Sequence, residues 1–135
     1  MITTANYFTK GIKAIGIAIS VGKPRWWTGR SYPPLAPAPW MLRLQGQEFT
    51  RAYQDTILSQ LDPIGIREEL EGSALLCWEG FNTFCHRRLV AEWLETEAGI
   101  VVPEYGRNRE ESLVAADMPS KSEAKRQKLA ASELF

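Results

Sequence analysis

The sequence has few of the features that mark membrane, secreted or nucleic-acid-coating proteins. In its N-terminal half the longest apolar run covers residues 14–21, far short of the ~20 residues of a membrane span. The first residues show neither the basic cluster nor the long apolar stretch of a signal peptide. The 16 basic and 16 acidic residues cancel, so bulk charge gives no attraction toward nucleic acid. We therefore expect a cytoplasmic protein without membrane contact.

Cysteine and histidine are also scarce, with Cys77, Cys85 and the single histidine His86. Two cysteines fit one disulfide in a secreted protein or reduced thiols in a cytosolic one, and the compartment argument favours reduced thiols. Their spacing matches no common zinc pattern, so we expect no metal and no cofactor. His86 is the one candidate for imidazole acid–base chemistry near neutral pH.

The length bounds the domain organisation. A chain of 135 residues with 44% apolar side chains buries one modest core. We expect a single α/β domain over residues 1–109. Residues 110–135 are predicted to form a mobile charged tail, with a nascent helix over 122–134 because most of the apolar residues there are alanines.

Apolar periodicity alternates between strand and helix patterns along the domain. Buried strands are predicted at 14–20 and 73–78, with a further short strand at 100–102; helices are predicted at 47–61, 62–71 and 85–97. Residues 24–39 hold five prolines and form a long ordered loop rich in proline and tryptophan. This order predicts an α/β fold with a small, mostly parallel sheet flanked by helices in a Rossmann-like, three-layer arrangement.

The step from strand to helix, LLCWEGFNTFCHRRL, is the sharpest candidate for chemistry. It places Cys85, His86, Arg87 and Arg88 at a helix start, where unpaired N–H groups attract anions. Two arginines there indicate that an anion or a nearby carboxylate, with Glu79 one candidate, compensates them. The same setting lowers the pKa of a cysteine. The alternative is that Cys77 and Cys85 are buried packing residues and the arginines pair with glutamates.

The loop KPRWWTGRSYPPLAPAPW mixes cations with aromatic rings. Such mixtures suit phosphate-bearing ligands with bases to stack, although large rings also cover small cores without any ligand. The residues concerned are Lys23, Arg25, Trp26, Trp27, Arg30, Tyr32 and Trp40.

Several of these stretches together resemble the family called domain of unknown function 488, in particular its short members. The resemblance runs over residues 7–105 and is carried by KPRWW, GRSYPPLAP, LDP, LLCWE and, most specifically, FCHRRLVAEWLE. It implies a compact α/β fold with the CHR element beside the strand ends, and it supplies no reaction. It marks as site or recurrent loop positions Arg25, Gly29, Arg30, Tyr32, Cys85, His86 and Arg87.

Three functions remain open at the level of sequence, and whether the protein is an enzyme is one of the open points. The first is binding or processing of a nucleotide or nucleic acid in an anion-binding pocket formed by Arg25, Arg30, Tyr32 and Arg87. The second is a cysteine-dependent enzyme in which Cys85 is the nucleophile and His86 handles protons. The third is an adaptor whose basic loop contacts a protein partner.

Overall fold

A four-stranded sheet, all of whose pairings are parallel, forms the centre of the computed structural model, which describes residues 1–79, 84–108 and 110–111. The strands are β1 (Thr3–Asn6), β2 (Gly16–Ala18), β3 (Arg30–Ser31) and β4 (Ala74–Cys77), and they lie in the order β1-β4-β2-β3. Beyond β1, Glu104 forms one parallel bridge with Thr4. The predicted α/β fold with a mostly parallel sheet is confirmed.

Three helices pack against one face of this sheet. They are α1 (Gly46–Thr56), α2 (Pro63–Glu69) and α3 (His86–Ala98). Because side chains alternate along a strand, Ile17, Ile19 and Leu75 share this face and form the main core together with apolar residues of all three helices. Leu94 of α3 and Tyr53 of α1 are fully buried in that core.

Among the described residues, a loop and a short 3-10 helix cover the opposite face. Ala18, Ala74 and Leu76 lie on it, under the ring of Trp27 and the short 3-10 helix Ile12–Ala14. Small side chains on the strands leave room for the indole, whose Nε1 donates to the Arg30 carbonyl oxygen at 3.1 Å. The sheet therefore lies between two covering layers, which agrees with the predicted three-layer arrangement.

The helix boundaries largely follow the expected signals. Asp62 caps α2 by accepting a hydrogen bond from the Ile64 N–H at 3.1 Å, ahead of Pro63. Gly99 ends α3 at φ 69°, a left-handed conformation that favours glycine. The predicted helix 47–61 is too long, since α1 stops at Thr56 and a 3-10 turn follows at Leu58–Gln60. Over a single turn, an α-helix and a 3-10 helix place apolar residues at nearly the same spacing, so the apolar periodicity of the sequence does not distinguish them.

The strand predictions were less complete. The predicted strand 100–102 is wrong, because the Val102 N–H donates to Glu95 Oε2 at 3.0 Å and its carbonyl accepts from Arg88 at 3.0 Å. Side chains of α3 thus form hydrogen bonds with the backbone N–H and C=O groups of Val102 that a neighbouring strand would otherwise pair with. The edge strand β3 lies within the stretch predicted as loop, and β1 was not predicted because its sequence TTAN lacks an apolar run.

Within the described part of the chain, no helix is long and apolar enough to cross a membrane. The predicted helix over 122–134 and most of the predicted tail lie outside the described residues.

Candidate functional site

A cleft of about 340 Å³ opens at the carboxyl ends of β2 and β4. After β2 the chain continues to β3 on one side, whereas after β4 it returns through α3 to the Glu104 bridge on the other side of the sheet. The two connections leave adjacent strands in opposite directions, and such a point is where open parallel sheets usually hold ligands. The walls come from the chain after β2 and β4 and from the first residues of α1 and α3, including Ser20, Gly46, Phe49, Trp78, Cys85 and His86.

Cys77 and Cys85 meet at the inner wall of this cleft. Cys77 is the last residue of β4, and Cys85 is the N-cap residue of α3 with an extended backbone. The structure brings their sulfur atoms into direct contact, with the two Cα atoms 7.2 Å apart. Both residues are buried. The sequence favours separate reduced thiols, and no local pattern in it predicts that the two sulfur atoms touch.

His86 is the first residue of α3 and is held by a hydrogen bond across the cleft floor. Its Nε2 lies 2.6 Å from the Ile19 carbonyl oxygen, and because a carbonyl only accepts, Nε2 carries the proton. Burial lowers the pKa of His86 to about 4; the Ile19 bond opposes this shift and the Arg87 charge adds to it. The imidazole is therefore neutral at pH 7. Its unprotonated Nδ1 lies 3.7 Å from Cys85 Sγ.

Arg87 is fully buried and already paired with a carboxylate of the chain. Its Nε and Nη2 donate to the two Glu104 oxygens, each at 3.0 Å, and Nη1 donates to the Glu79 main-chain oxygen at 2.9 Å. The same Nη1 lies 3.3 Å from Cys77 Sγ. The compensating carboxylate is thus Glu104, whereas the candidate from the sequence, Glu79, accepts from Arg87 through its main-chain oxygen. The guanidinium also faces the Cys77 sulfur atom rather than open solvent.

Arg88 extends this buried network to the sheet edge. Its Nη1 donates to Thr4 Oγ1 at 2.8 Å, and Thr4 Oγ1 in turn donates to Glu104 Oε1 at 2.5 Å. The start of α3, β1 and the segment around Glu104 are therefore locked together by charge-assisted hydrogen bonds, which are about twice as strong as neutral ones.

The remaining predicted anion-binding residues are dispersed. Arg30 Nη2 donates to the Ile15 carbonyl at 3.3 Å and to Ser73 Oγ at 3.0 Å. Ile15 and Ser73 precede β2 and β4, so these contacts lie at the amino ends of the strands, opposite the cleft. The Tyr32 hydroxyl donates to Glu69 Oε2 at 2.7 Å. Burial and the Glu69 carboxylate raise the pKa of Tyr32 to about 12. Arg25 is exposed. The cleft thus contains Cys85 and His86, and it does not gather Arg25, Arg30, Tyr32 and Arg87 around one ligand position.

The aromatic residues of the proline-rich loop divide into two groups. Trp27 is buried, whereas Trp26 and Trp40 are more than half exposed. Trp78, just after β4, is also exposed; it lines the cleft and donates its indole N–H to the Gly22 carbonyl at 2.7 Å. Its ring centroid lies 6.3 Å from that of Phe8, which lies 5.8 Å from that of Trp26. We call Phe8, Trp26 and Trp78 the aromatic chain.

Two important residues of the site were not predicted as such. Glu104 lies in a segment whose sequence, VVPEYG, carries no catalytic motif, and no local signal pairs it with Arg87. Trp78 is the last residue of the predicted strand 73–78, whereas β4 ends at Cys77, so its ring lies at the strand end, where parallel sheets usually hold ligands. The comparisons with protein-family models, curated proteins and solved structures found no significant match to the chain.

Proposed function

We propose that the protein is a thiol-dependent redox protein in which Cys77 and Cys85 alternate between dithiol and disulfide at the wall of the cleft. The observation that carries this proposal is the direct contact of the two sulfur atoms at the lining of a cleft at the strand ends. The proposal narrows the cysteine-dependent chemistry that the sequence suggested.

The surroundings favour a reactive thiolate. Cys85 is the N-cap residue of α3, and the partial positive charge of a helix N-terminus favours a thiolate there. The Arg87 guanidinium, 3.3 Å from Cys77 Sγ, stabilises negative charge on the second sulfur. The unprotonated Nδ1 of His86, 3.7 Å from Cys85 Sγ, is placed to take the thiol proton when the thiolate forms.

The reaction balances as an exchange with a small-molecule disulfide. The Cys85 thiolate attacks one sulfur of the substrate, the substrate S–S bond breaks, and one substrate thiolate leaves. The Cys77 thiolate then attacks Cys85 Sγ in the mixed disulfide, which forms the Cys77–Cys85 bond and releases the second substrate thiolate. Two protons leave the protein cysteines and protonate the two products.

The first test is equilibration of the purified protein in glutathione buffers of graded redox ratio, followed by a mass-tagging maleimide. We expect the two cysteines to become protected together as the buffer becomes oxidising. In Cys77→Ser, Cys85 is expected to accumulate a mixed disulfide with glutathione, because the resolving thiol is missing. In Cys85→Ser, Cys77 is expected to accumulate little of it.

Two results would contradict the redox function. The first is that both thiols stay open to the maleimide in oxidising buffer. The second is that each forms its own mixed disulfide in the wild-type protein without ever forming a pair. Intact mass measurement after trapping distinguishes all of these species.

A nucleotide or single-stranded nucleic acid is the second candidate ligand, and the aromatic chain is the observation that favours it. Three exposed rings lead away from the cleft, and exposed Arg25 stands next to Trp26 in the sequence. Cations beside exposed rings suit phosphates and stacked bases. This candidate keeps Arg25 as a phosphate contact, whereas Arg87 stays within the fold.

Binding of short single-stranded oligonucleotides, followed by tryptophan fluorescence, tests this second candidate. We expect Trp78→Ala and Trp26→Ala each to weaken binding by about 1–3 kcal/mol, the value of one stacked base. Arg51→Ala, at an exposed position of α1, is the control and should leave affinity unchanged. Equal affinity of all four proteins would exclude the aromatic chain as the binding surface.

The likeness to the domain of unknown function 488 family remains part of the proposal, as does a cytoplasmic location. A reducing compartment keeps most dithiols reduced, so a disulfide formed there is transient. A protein that alternates between dithiol and disulfide is therefore compatible with a cytoplasmic location.

A further inference from the structure

We propose that the reduced protein binds one thiophilic metal ion of the Zn²⁺ class through Cys77 Sγ, Cys85 Sγ and His86 Nδ1. The site uses the cysteines of the proposed redox function but does not depend on it, because metal binding needs thiolates and no exchange reaction. The sequence predicts no metal, since the spacing of these residues matches no common zinc pattern. The fold brings the three side chains together all the same.

The distances suit a tetrahedral ion. The three donor atoms all lie within 4.8 Å of one another. With Zn–S near 2.3 Å and Zn–N near 2.0 Å, ligand atoms of a tetrahedral site stand about 3.5 Å apart, close to the 3.7 Å between Cys85 Sγ and His86 Nδ1. The Cα atoms of Cys77 and Cys85 are 7.2 Å apart, whereas disulfides usually span about 4.4–6.8 Å. A bridging ion accommodates that spacing as it stands, whereas the disulfide of the proposed redox cycle requires the two backbone segments to move closer together.

His86 is oriented as a metal ligand would be. Histidine ligands typically donate their second ring N–H to a carbonyl or carboxylate, which fixes the tautomer and the ring plane. Here Nε2 donates to the Ile19 carbonyl at 2.6 Å, and the Tyr53 ring packs edge-on against the imidazole with centroids 5.4 Å apart. The Nδ1 lone pair therefore faces the two sulfur atoms.

The charges also balance. Two thiolates neutralise a divalent ion, and the nearby Arg87 charge is already matched by Glu104. Three protein ligands leave a fourth position for water or substrate, the pattern of catalytic rather than structural zinc. Cys77, Cys85 and His86 all line the cleft, as does Glu79, whose Oε2 lies 3.6 Å from Cys77 Sγ. The fourth position thus belongs to the cleft.

The test is an anaerobic titration of the reduced, metal-free full chain with Co²⁺, followed by displacement with Zn²⁺. We expect one Co²⁺ per chain, with thiolate-to-cobalt charge-transfer bands and the intense visible bands of tetrahedral cobalt. Cys77→Ser and Cys85→Ser should lose most of the charge-transfer intensity. His86→Gln, whose amide can still reach the Ile19 carbonyl, should bind at least ~10-fold more weakly, while Glu97→Gln on the exposed side of α3 should match the wild type.

Absence of charge-transfer bands in the wild-type protein, with both thiols reduced, would overturn the metal site. Equal affinity of His86→Gln and wild type would overturn the role of histidine. X-ray absorption at the zinc edge of the wild-type protein counts sulfur and nitrogen ligands and needs no variant to fold. Glutathione exchange without metal binding would support the redox function and contradict the metal site. Metal binding without glutathione exchange would support the metal site and contradict the redox function.

Discussion

Replacement of Glu104 by alanine is expected to destabilise the protein by about 3–5 kcal/mol, the usual cost of leaving one partner of a buried ion pair uncompensated. Glu104 accepts two hydrogen bonds from the fully buried Arg87 guanidinium and one from Thr4. Without the carboxylate, the positive charge of Arg87 remains buried in the interior and loses the negative charge that compensates it. Urea unfolding followed by tryptophan fluorescence measures the loss.

Two further variants make this measurement specific to the pair. Glu97→Ala removes an exposed carboxylate from the same α3 helix and should change stability by no more than about 0.5 kcal/mol. The double variant Arg87→Met, Glu104→Leu replaces both charges by apolar groups and should lose less than Glu104→Ala alone. If Glu104→Ala stays within about 1 kcal/mol of the wild type, the pair does not have the structural role that its geometry indicates.

Lowering the pH from 7 to 4 is expected to weaken the fold of the metal-free protein by about 3 kcal/mol through His86, since each pH unit between the two pKa values is worth about 1.4 kcal/mol. In the folded state burial lowers the pKa of His86 to about 4, and the unfolded chain has the ordinary value of 6.5. The unfolded state therefore binds more protons between these values. The stabilisation is fully present above pH 6.5 and is lost as the pH falls toward 4.

The groups that face the imidazole are Cys85, Tyr53, Arg87 and the Ile19 carbonyl. Of these, the carbonyl bond partly opposes the lowered pKa, and the Arg87 charge adds to it. Urea unfolding at a series of pH values, compared with His86→Gln, isolates the histidine contribution from that of the carboxylates. Parallel pH profiles for the two proteins, or an NMR titration of the imidazole near pH 6.5, would refute the prediction.

The sequence predicted those parts of the fold that depend on local pattern. The buried strand around Leu75, the N-cap Asp62 and the end of α3 at Gly99 each follow from neighbouring residues. β1 was missed because its residues are small or hydroxylated and are buried by contacts with β4, some 70 residues away. Periodicity within a short window carries no information about such a partner.

The candidate site was predicted in part for the same reason. The strand-to-helix step places Cys85 and His86 at the cleft, and that step is local in sequence. The role of Arg87 depends on Glu104, 17 residues later, and the proton position on His86 depends on Ile19, 67 residues earlier. Arg30 lies at the amino ends of the strands, away from the cleft, because its hydrogen-bond acceptors precede β2 and β4 rather than follow them. These partners become visible only when the strand order is known.

The strand order also sets a timetable for folding. β4 lies between β1 and β2 and pairs with both. It is the last of the four strands to leave the ribosome, so β1 and β2 cannot be joined into one sheet until β4 has been synthesised. Closing the sheet requires contacts across most of the domain, and topologies dominated by such distant pairings fold slowly. Until residue 77 has emerged, the sheet lacks its central strand, and Ile17 of β2 is open to chaperones or to other chains. Folding of this domain is therefore expected to be completed late in synthesis, in one concerted step around its central strand.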